Sequence, residues 1–405
     1  MRSERPKVLA PLCGRPMLGY VLDQARALEP ERIVIVTGHG GEEVRAWVEE
    51  HEDVERIGFV TQTEQRGTGH AVQVCTEELE AHPGPVVVLY GDMPLLSAES
   101  LAELCDARAD APAAATTVIA DQPRGFGRIL RDGDGAFRGI VEERDATPEQ
   151  RAIQEVNVGV YCFAKDALLA CLPRLSSDNA QGEFYLTDVL GMIVEDGGRV
   201  PTVVLEDERE AIGVNTLAHL AEARTGVQER ILEQHLANGV HIEDPATTYV
   251  DHGVEIGTGT TILPCTVIRA GVRIGAGCEV GPFTHLRVGT TLEDGAEVGN
   301  FTEAKKATLG SGTKAKHLTY LGDVTIGERT NIGAGTIVAN YDGTHKHHTE
   351  VGDRAFIGSG SILIAPAVVG DEALTGAGAV VKRNSKIPPG ESWVGVPARP
   401  LRSKE

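Results

Sequence analysis

The chain has 405 residues, of which 41% are hydrophobic, and its formal net charge is −21 at pH 7. This length predicts two or three domains with sizeable cores, and the acidic balance argues against nucleic acid or an anionic membrane surface as the main partner. Seven scattered cysteines without a C-x-x-C pair indicate neither a disulfide framework nor a zinc site. They fit a reducing cytosol. Because no apolar run approaches the ~20 residues of a membrane span and no signal-peptide pattern is present, we expect a cytoplasmic protein that does not enter a membrane.

Residues 1–213 alternate β-rich runs with helical stretches, as in Arg32–Thr37 followed by Glu42–Glu50. Alternation of this kind predicts an α/β domain with a largely parallel sheet. The apolar run Val86–Tyr90 is typical of a strand covered on both faces, and Gly91 and Asp92 follow it directly. Ligands bind at the carboxyl ends of such strands, so Asp92 lies where chemistry is expected. On its own, an Asp at this place is more often a helix N-cap than a metal ligand.

Residues 214–240 have the pattern of one long connecting helix. Apolar residues recur at helical spacing, Asn215 or Thr216 can cap the start, and Gly239 can close the end.

Residues 241–405 are dominated by an aliphatic residue that returns every sixth position between Val254 and Val381. The fourth position after each aliphatic is mostly small or β-branched. Neither a helix nor an ordinary strand has this period, and hexapeptide periodicity predicts a parallel β-helix. A Gly-rich β-sandwich is the alternative, but sandwich strands show a period of two with irregular turns.

The repeat is interrupted twice, between Val298 and Ile326 and between Val338 and Val351, and we expect the chemistry there. This zone is locally basic, which suits a phosphorylated ligand, although a solvated charged face is an equal alternative on charge alone. The basic residues are Arg287, Lys305, Lys306, Lys314, Lys316 and Lys346. His317 lies in the first interruption, three residues before Tyr320. His is the side chain best suited to proton transfer near neutral pH, so His317 is a candidate general base. The crowded His345, His347 and His348 lack a partner cluster, so an exposed loop is favoured over a metal site.

Seven short motifs follow one another in the first domain. They are P-K-V-L at 6–9, G-R-P-M-L at 14–18, Q-T-E-Q-R-G-T-G-H-A at 62–71, Y-G-D-M-P at 90–94, G-F-G-R-I at 125–129, G-I-V-E-E at 139–143 and E-V-N-V-G at 155–159. Their order and spacing resemble the sugar-nucleotide pyrophosphorylases. With the hexapeptide half attached, nearly the whole chain resembles the bifunctional N-acetylglucosamine-1-phosphate uridylyltransferase / glucosamine-1-phosphate N-acetyltransferase family.

For the first domain the resemblance implies a Rossmann-like nucleotidyltransferase fold and transfer of a uridylyl group from UTP to N-acetylglucosamine 1-phosphate. Lys7 matches a phosphate-contacting lysine, and Asp92 and Asn215 match the pair that holds Mg²⁺. The positions around uracil and around the acetamido sugar are matched by Gln62, Gly67, Thr68, Tyr90, Gly127, Glu142 and Asn157. The product, UDP-N-acetylglucosamine, is a precursor of peptidoglycan and lipopolysaccharide.

For the second domain the resemblance implies a left-handed β-helix that acetylates glucosamine 1-phosphate with acetyl-CoA, and His317 matches the general base. The implied contacts to the acceptor sugar phosphate are Arg287, Lys305, Tyr320, Asn331 and Lys346. Those to acetyl-CoA are Ala334, Asn340, Tyr341, Ser359 and Ala377. Lys382, Arg383 and Arg399 are weaker candidates for the cofactor phosphates. Members of the family pack as homotrimers, so a trimer is implied as well.

The chain departs from the family at its amino terminus. The family opens with an apolar strand and the loop L-A-A-G-x-G-T-x-M, whereas this sequence begins, at Met1-Arg2-Ser3, where that loop should end. Either the true start lies upstream, or the nucleotidyltransferase half has degenerated and only acetyl transfer remains. The joint retention of the matched residues favours the first explanation. A non-catalytic sugar-nucleotide scaffold, or a thymidylyl- or adenylyltransferase of glucose 1-phosphate, are further alternatives.

Overall fold

The computed structural model describes residues 5–121, 123 and 125–401, so the opening Met1-Arg2-Ser3 lies outside it. The chain forms two compact units, and the division falls between Gly226 and Val227. This division lies within one continuous helix, Leu217–Ala237, at the place where the sequence predicts a long helix over 214–240. Residues Cys13–Arg15 cluster with the second unit.

Two main sheets form the first unit, and a short additional sheet contains the strands Pro11–Leu12 and Arg15–Pro16. Strands Ile33–Thr37 and Ile57–Thr61 form a parallel pair. The second sheet has six strands, and its central strand, Glu155–Phe163, is buried along almost its whole length. The other five strands are Val86–Val88, Ala113–Ile119, Arg128–Arg131, Phe137–Val141 and Thr202–Val204.

The α/β class of this unit is confirmed, but the expectation of a largely parallel sheet is wrong for the six-stranded one. Among its described strands, only Thr202–Val204 and Ala113–Ile119 pair in parallel, and the central strand is antiparallel to each of its neighbours. A strand that is covered on both faces has the same apolar pattern whichever way it runs, so the sequence could not reveal its direction.

Helices cover the sheets and complete the core of the first unit. They span Met17–Ala27, Gly41–His51, Thr68–Gln73, Thr76–Ala81, Ala98–Arg108, Pro148–Arg151, Lys165–Cys171 and Thr187–Glu195, with 3₁₀ turns at Lys7–Leu9, Leu172–Arg174 and Glu208–Ala211. Tyr161 and Phe163 on the central strand pack with Leu186 and Leu190. Over the residues that are described, no helix has both the length and the apolar character needed to cross a membrane.

The second unit is a parallel β-helix in which short strands stack in consecutive coils. One face holds ten strands, of which all but the last pair in parallel: His241–Ile242, Thr261–Ile262, Glu279–Val280, Glu297–Asn300, Lys314–His317, Asn331–Ile332, Phe356–Ile357, Leu374–Thr375, Ser392–Val394 and Arg399–Pro400. A second face holds Tyr249–Val250, Val267–Ile268, His285–Leu286, Glu303–Leu309, Tyr320–Ile326, Ile337–Ala339, Ile362–Ile364 and Val380–Val381. The third holds Glu255–Ile256, Arg273–Ile274, Thr291–Leu292, Thr349–Val351, Ala367–Val369 and Lys386–Ile387, and the two longest strands of the second face extend onto it.

The sixth-position aliphatics fill the interior of the β-helix, as the sequence predicts. Ile262, Ile268 and Val280 have no exposed surface. The threonines at the corners also point inward. Thr290 Oγ1 has no partner among the described residues, but the hydroxyls of most other corner threonines bond backbone groups of the same coil or the next. Thr260 Oγ1, for example, donates to Gly275 O at 2.8 Å and accepts from Cys278 N at 3.0 Å. Because buried hydroxyls need partners, these bonds explain why the small corner residue is so often Thr.

The length of a coil changes at the two predicted interruptions. The regular coil is the step from Thr261 to its paired residue Glu279, and Glu279 to Glu297 repeats it. The coil from Glu297 to Lys314 is slightly shorter, and the coil from Asn331 to Phe356 is much longer. The extra residues of the long coil form a projecting loop from Asn340 to His348, whereas the strands on either side remain in parallel register.

Candidate functional sites

In the first unit, Asp92 and Asn215 meet around the ammonium group of Lys7. Lys7 Nζ lies 2.5 Å from Asp92 Oδ2 and 2.7 Å from Asn215 Oδ1. Asp92 follows the strand Val86–Val88, and its carbonyl accepts the Val214 amide at 2.9 Å, which brings the segment of Asn215 alongside. The side-chain oxygens of Asp92 and Asn215, which are far apart in the sequence, therefore both contact the Lys7 ammonium group.

Tyr90 connects this group to the positions predicted to surround the sugar. Burial raises the pKa of Tyr90 to about 12, with smaller contributions from the carboxylates of Glu142 and Asp92, and its hydroxyl bonds Thr68. Burial likewise raises the pKa of Glu142, which accepts a long hydrogen bond from Thr187 Oγ1 at 3.5 Å. A carboxylate with a raised pKa and a phenol thus lie close together in a half-buried polar recess.

Two glycines give this recess its shape. A Cβ on Gly127 would lie 3.4 Å from Glu142 Oε1 and only 2.8 Å from Ile140 Cγ2, so the backbone passes close beneath the carboxylate. The Gly127 carbonyl accepts the Asn157 amide at 2.9 Å. Gly159 has φ +94°, and a Cβ there would come within 2.5 Å of the Tyr90 ring. Neither position leaves room for a side chain, because a Cβ would enter the volume of the neighbouring ring or chain.

The predicted uracil segment adjoins Tyr90 through Thr68. Gln62 Nε2 lies 3.1 Å from the Gly67 carbonyl and 3.0 Å from His70 Nδ1. Gly67 has φ +108°, a conformation that favours glycine, and its backbone runs against Phe184. Thr68 Oγ1 accepts the Leu186 amide at 3.1 Å. The predicted uracil and sugar positions are thus neighbours in the folded unit.

In the second unit, the side chain of His317 is positioned by Asn300. Its Nδ1 lies 2.9 Å from Asn300 Oδ1, and the two residues are opposite each other in adjacent strands. A carboxamide oxygen can only accept a hydrogen bond, so Nδ1 carries the proton and the lone pair resides on Nε2. Among the described residues, Nε2 has no hydrogen-bond partner. Asn300 was not predicted from the sequence, because the shorter coil that begins at Glu297 hides its relation to His317.

The basic zone predicted around His317 separates into cations that are paired with a carboxylate and cations that face one another. Lys314 and Lys316 both bond Glu297, at 2.9 and 2.6 Å, so they do not supply free charge. Lys305, by contrast, lies against Lys346, and this second ammonium, with Arg287 nearby, lowers the pKa of Lys305. Like charges are held together here, as expected for a site that receives an anion.

Arg287 lies near Lys305, and Tyr320 is on the strand that pairs with the strand of Lys305. Arg287 Nη1 bonds Glu303 Oε1 at 2.6 Å, and Glu303 is a second residue that the sequence did not single out. Tyr320 and Asn340 converge over Gly322, where a Cβ would lie 2.6 Å from the Tyr320 hydroxyl and 2.7 Å from Asn340 Nδ2. Asn331 begins a strand on the ten-stranded face, where it pairs with Lys314. That face adjoins the one that carries Tyr320.

The residues predicted to contact acetyl-CoA stack directly beyond His317. The carbonyl of His317 accepts the amide of Gly335, the carbonyl of Ala334 that of Gly360, and the carbonyl of Ser359 that of Gly378, so Ala334, Ser359 and Ala377 continue the column of His317 coil by coil. The neighbouring corner column changes along the way. Up to the level of His317, this column holds the exposed side chains of Phe283, Phe301 and Leu318. Beyond His317, it holds Gly335, Gly360 and Gly378. The result is a strip without bulky side chains that begins at the histidine. Tyr341 lies exposed in the projecting loop.

The three crowded histidines do not gather around one point. His347 Nε2 lies 2.7 Å from Asp342 Oδ2 and also contacts Arg383, whereas His348 Nε2 lies 3.1 Å from Thr325 Oγ1. Within the part of the chain that the structure describes, no group of three or more His, Cys, Asp or Glu side chains is arranged to hold a metal ion.

Both halves of the chain match known protein families. Residues 1–190 match the MobA-like NTP transferase domain, and residues 349–383 match the hexapeptide repeat of succinyl-transferase. Proteins named bifunctional protein GlmU resemble nearly the full length. The one from Streptomyces avermitilis is 42% identical and covers 96% of this chain and 88% of its own, and the one from Thermobifida fusca is 43% identical and covers 100% and 90%. The one from Heliobacterium modesticaldum is 40% identical and covers 95% and 90%.

Proposed function

The chain belongs to the GlmU family of bifunctional proteins, and from this premise we propose which of its residues perform the two transfers. It is a bifunctional transferase. Its second unit N-acetylates glucosamine 1-phosphate with acetyl-CoA, and its first unit transfers a uridylyl group from UTP to the product. The acetyltransferase-only alternative is set aside, because the resemblance to bifunctional relatives extends over both units.

Mg²⁺ fits the oxygens of Asp92 and Asn215. Lys7 Nζ occupies the point between them, so an ammonium stands in for a cation at a place lined by one carboxylate and one amide oxygen. Mg²⁺ prefers such oxygens and is commonly held by one or two of them together with substrate phosphates. When bound, it would neutralise charge on the phosphates of UTP.

In the uridylyl transfer, a phosphate oxygen of N-acetylglucosamine 1-phosphate attacks the α-phosphorus of UTP, and pyrophosphate leaves. Catalysis of this kind consists mostly of positioning and charge neutralisation. Lys7 supplies a positive charge for the phosphates, and Gln62, Gly67 and Thr68 receive the uracil. The recess of Tyr90, Gly127, Glu142 and Asn157 receives the acetamido sugar, where Gly127 and Gly159 leave space that side chains would fill.

In the acetyl transfer, His317 Nε2 removes a proton from the attacking amine of glucosamine 1-phosphate. The amine nitrogen forms a bond to the thioester carbonyl carbon, and the CoA thiolate leaves. Asn300 holds the tautomer whose Nε2 can accept this proton, and that contact of 2.9 Å is the observation on which the proposal chiefly rests. Arg287, Lys305 and Lys346 bind the sugar phosphate, with Tyr320 and Asn331 at its edge. The strip of Ala334, Ser359 and Ala377 accommodates the pantetheine arm, next to Asn340 and Tyr341.

Two single variants of the full chain test the assignment of one transfer to each unit. His317→Ala should abolish release of the CoA thiol with glucosamine 1-phosphate and leave release of pyrophosphate from UTP unchanged. Asp92→Ala should do the opposite. Each activity thus controls for the folding of the other variant, and loss of both activities in either single variant would contradict two independent sites.

A homotrimer in the cytoplasm completes the proposal. Phe283 and Phe301 stack at 5.2 Å between ring centroids while about half of each residue is exposed, and Leu318 extends this apolar column. Contiguous exposed apolar surface favours burial against another copy of the chain. All seven cysteines are free, as suits a reducing compartment. Sedimentation at the mass of a single 43.0 kDa chain would contradict the trimer.

A further inference from the structure

The loop from Asn340 to His348 carries Lys346 but is longer than any turn that the β-helix itself requires. Tyr341 and Lys346 form an antiparallel bridge, and the amide of His347 bonds the carbonyl of Asn340 at 2.8 Å. The loop is therefore a small hairpin. Because it projects from its coil, the position of the Lys346 ammonium depends on what holds the hairpin in place.

One carboxylate organises the hairpin. Asp342 Oδ1 accepts the amides of Thr344 at 2.9 Å and His345 at 2.7 Å, and Oδ2 lies 2.7 Å from His347 Nε2. These bonds lower the pKa of Asp342, so the carboxylate stays charged. The residues on both sides of Lys346 are thereby tied to the same side chain.

Arg383 connects that carboxylate to a different coil. It follows the strand Val380–Val381, and its Nη2 lies 2.9 Å from Asp342 Oδ2 and contacts His347 as well. Hydrogen bonds between charged groups are about twice as strong as neutral ones. Sequence reasoning offered Arg383 as a partner for the cofactor phosphates, but its guanidinium is directed at the hairpin instead.

We propose that Arg383 is a positioning residue for the acetyl transfer, which fixes the hairpin through Asp342 and so holds Lys346 next to Lys305 to bind the phosphate of the acceptor sugar. The inference rests on the proposed function, since it takes Lys305 and Lys346 as the phosphate site. This role differs from binding of acetyl-CoA by Arg383, because loss of the first affects the KM for the acceptor sugar and loss of the second affects the KM for acetyl-CoA.

The test compares Arg383→Met with Lys382→Met, which removes the same charge from the neighbouring residue and leaves the bonds of Asp342 in place. Arg383→Met should raise the KM for glucosamine 1-phosphate about tenfold, equivalent to about 1.4 kcal/mol, with kcat and the KM for acetyl-CoA within twofold of the wild type. Lys382→Met should leave the KM for glucosamine 1-phosphate unchanged. Arg383→Lys should recover part of the loss, because an ammonium can still pair with Asp342. Pyrophosphate release from UTP verifies that each variant is folded.

Combination with Lys346→Met separates the inference from the proposed function. If Arg383 acts through Lys346, Arg383→Met should add less than twofold in the Lys346→Met background. Two outcomes would overturn the inference but not the proposed function. In the first, Arg383→Met raises only the KM for acetyl-CoA. In the second, Arg383→Met leaves the KM for glucosamine 1-phosphate unchanged although Lys346→Met raises it. An unaltered Lys346→Met would overturn the proposed phosphate site, and the inference with it.

Discussion

Replacement of Asn300 by Ala removes the side-chain contact that orients His317 and leaves the backbone of the coil intact. The two residues remain opposite each other in the parallel ladder, and the Asn300 carbonyl still accepts the Leu318 amide at 3.0 Å. In the proposed mechanism, Asn300 contacts the imidazole of His317 and not the acceptor amine. We therefore expect a loss in kcat without a matching change in the KM of either substrate.

The size of the loss follows from the contact of 2.9 Å between Nδ1 and Oδ1. A hydrogen bond of this kind contributes about 0.5–1.5 kcal/mol, or roughly 2- to 12-fold in rate. The bond strengthens as the imidazole becomes positively charged during proton transfer, so the expected value is near the upper end, about tenfold. Equal decreases in kcat and kcat/KM would indicate that the interaction acts in the transition state.

The assay is release of the CoA thiol under saturating acetyl-CoA, with pyrophosphate release in the same preparation as the control for folding. Asn300→Asp provides the conservative comparison, because a carboxylate oxygen also accepts from Nδ1–H. It should retain most of kcat, and its acidic limb should move to higher pH, since the carboxylate stabilises the protonated imidazole. The reasoning would be refuted if Asn300→Ala kept kcat within twofold of the wild type while His317→Ala was inactive.

Two further predictions concern the first unit. Gly159→Ala should destabilise it by at least about 1 kcal/mol in urea unfolding, because φ is +94° and the new Cβ would collide with Tyr90; a wild-type midpoint would contradict the geometry. Burial places the folded-state pKa of Glu142 above its unfolded value near 4.3, so stability should fall as pH rises through the interval between the two values. Glu142→Gln should remove this fall, and parallel stability curves for the two proteins from pH 4 to 7 would show that the carboxylate is not buried as described.

The sequence specified the β-helix better than the α/β unit. A hexapeptide period requires each aliphatic to be on the inside, so Ile262 and Ile268 could be assigned to the core without any knowledge of their neighbours. In the first unit, the apolar run at Val86 indicated a buried strand but not its antiparallel pairing with Glu155–Phe163. Strand direction depends on connections across the whole unit, and a short apolar run contains no information about them.

Site residues were predicted by their resemblance to a family, whereas their partners emerged only from the folded chain. Asn300 and His317 are neighbours because their coil is shorter than the regular one, and a register that changes within the interruption hides this relation in the sequence. Charge alone also overestimated the basic zone, because Lys314 and Lys316 are paired with Glu297. An ion pair between adjacent coils cannot be read from composition, which counts the lysines but not the carboxylate opposite them.

The long coil from Asn331 to Phe356 has a consequence for how such a protein can diverge. Its additional length is confined to one corner, and Val338 still pairs with Leu363 as though the hairpin were absent. Insertions and deletions at this corner can therefore alter the hairpin without moving the strands. The hairpin can therefore be replaced as a unit during evolution, whereas each interior position remains constrained by the coils above and below it.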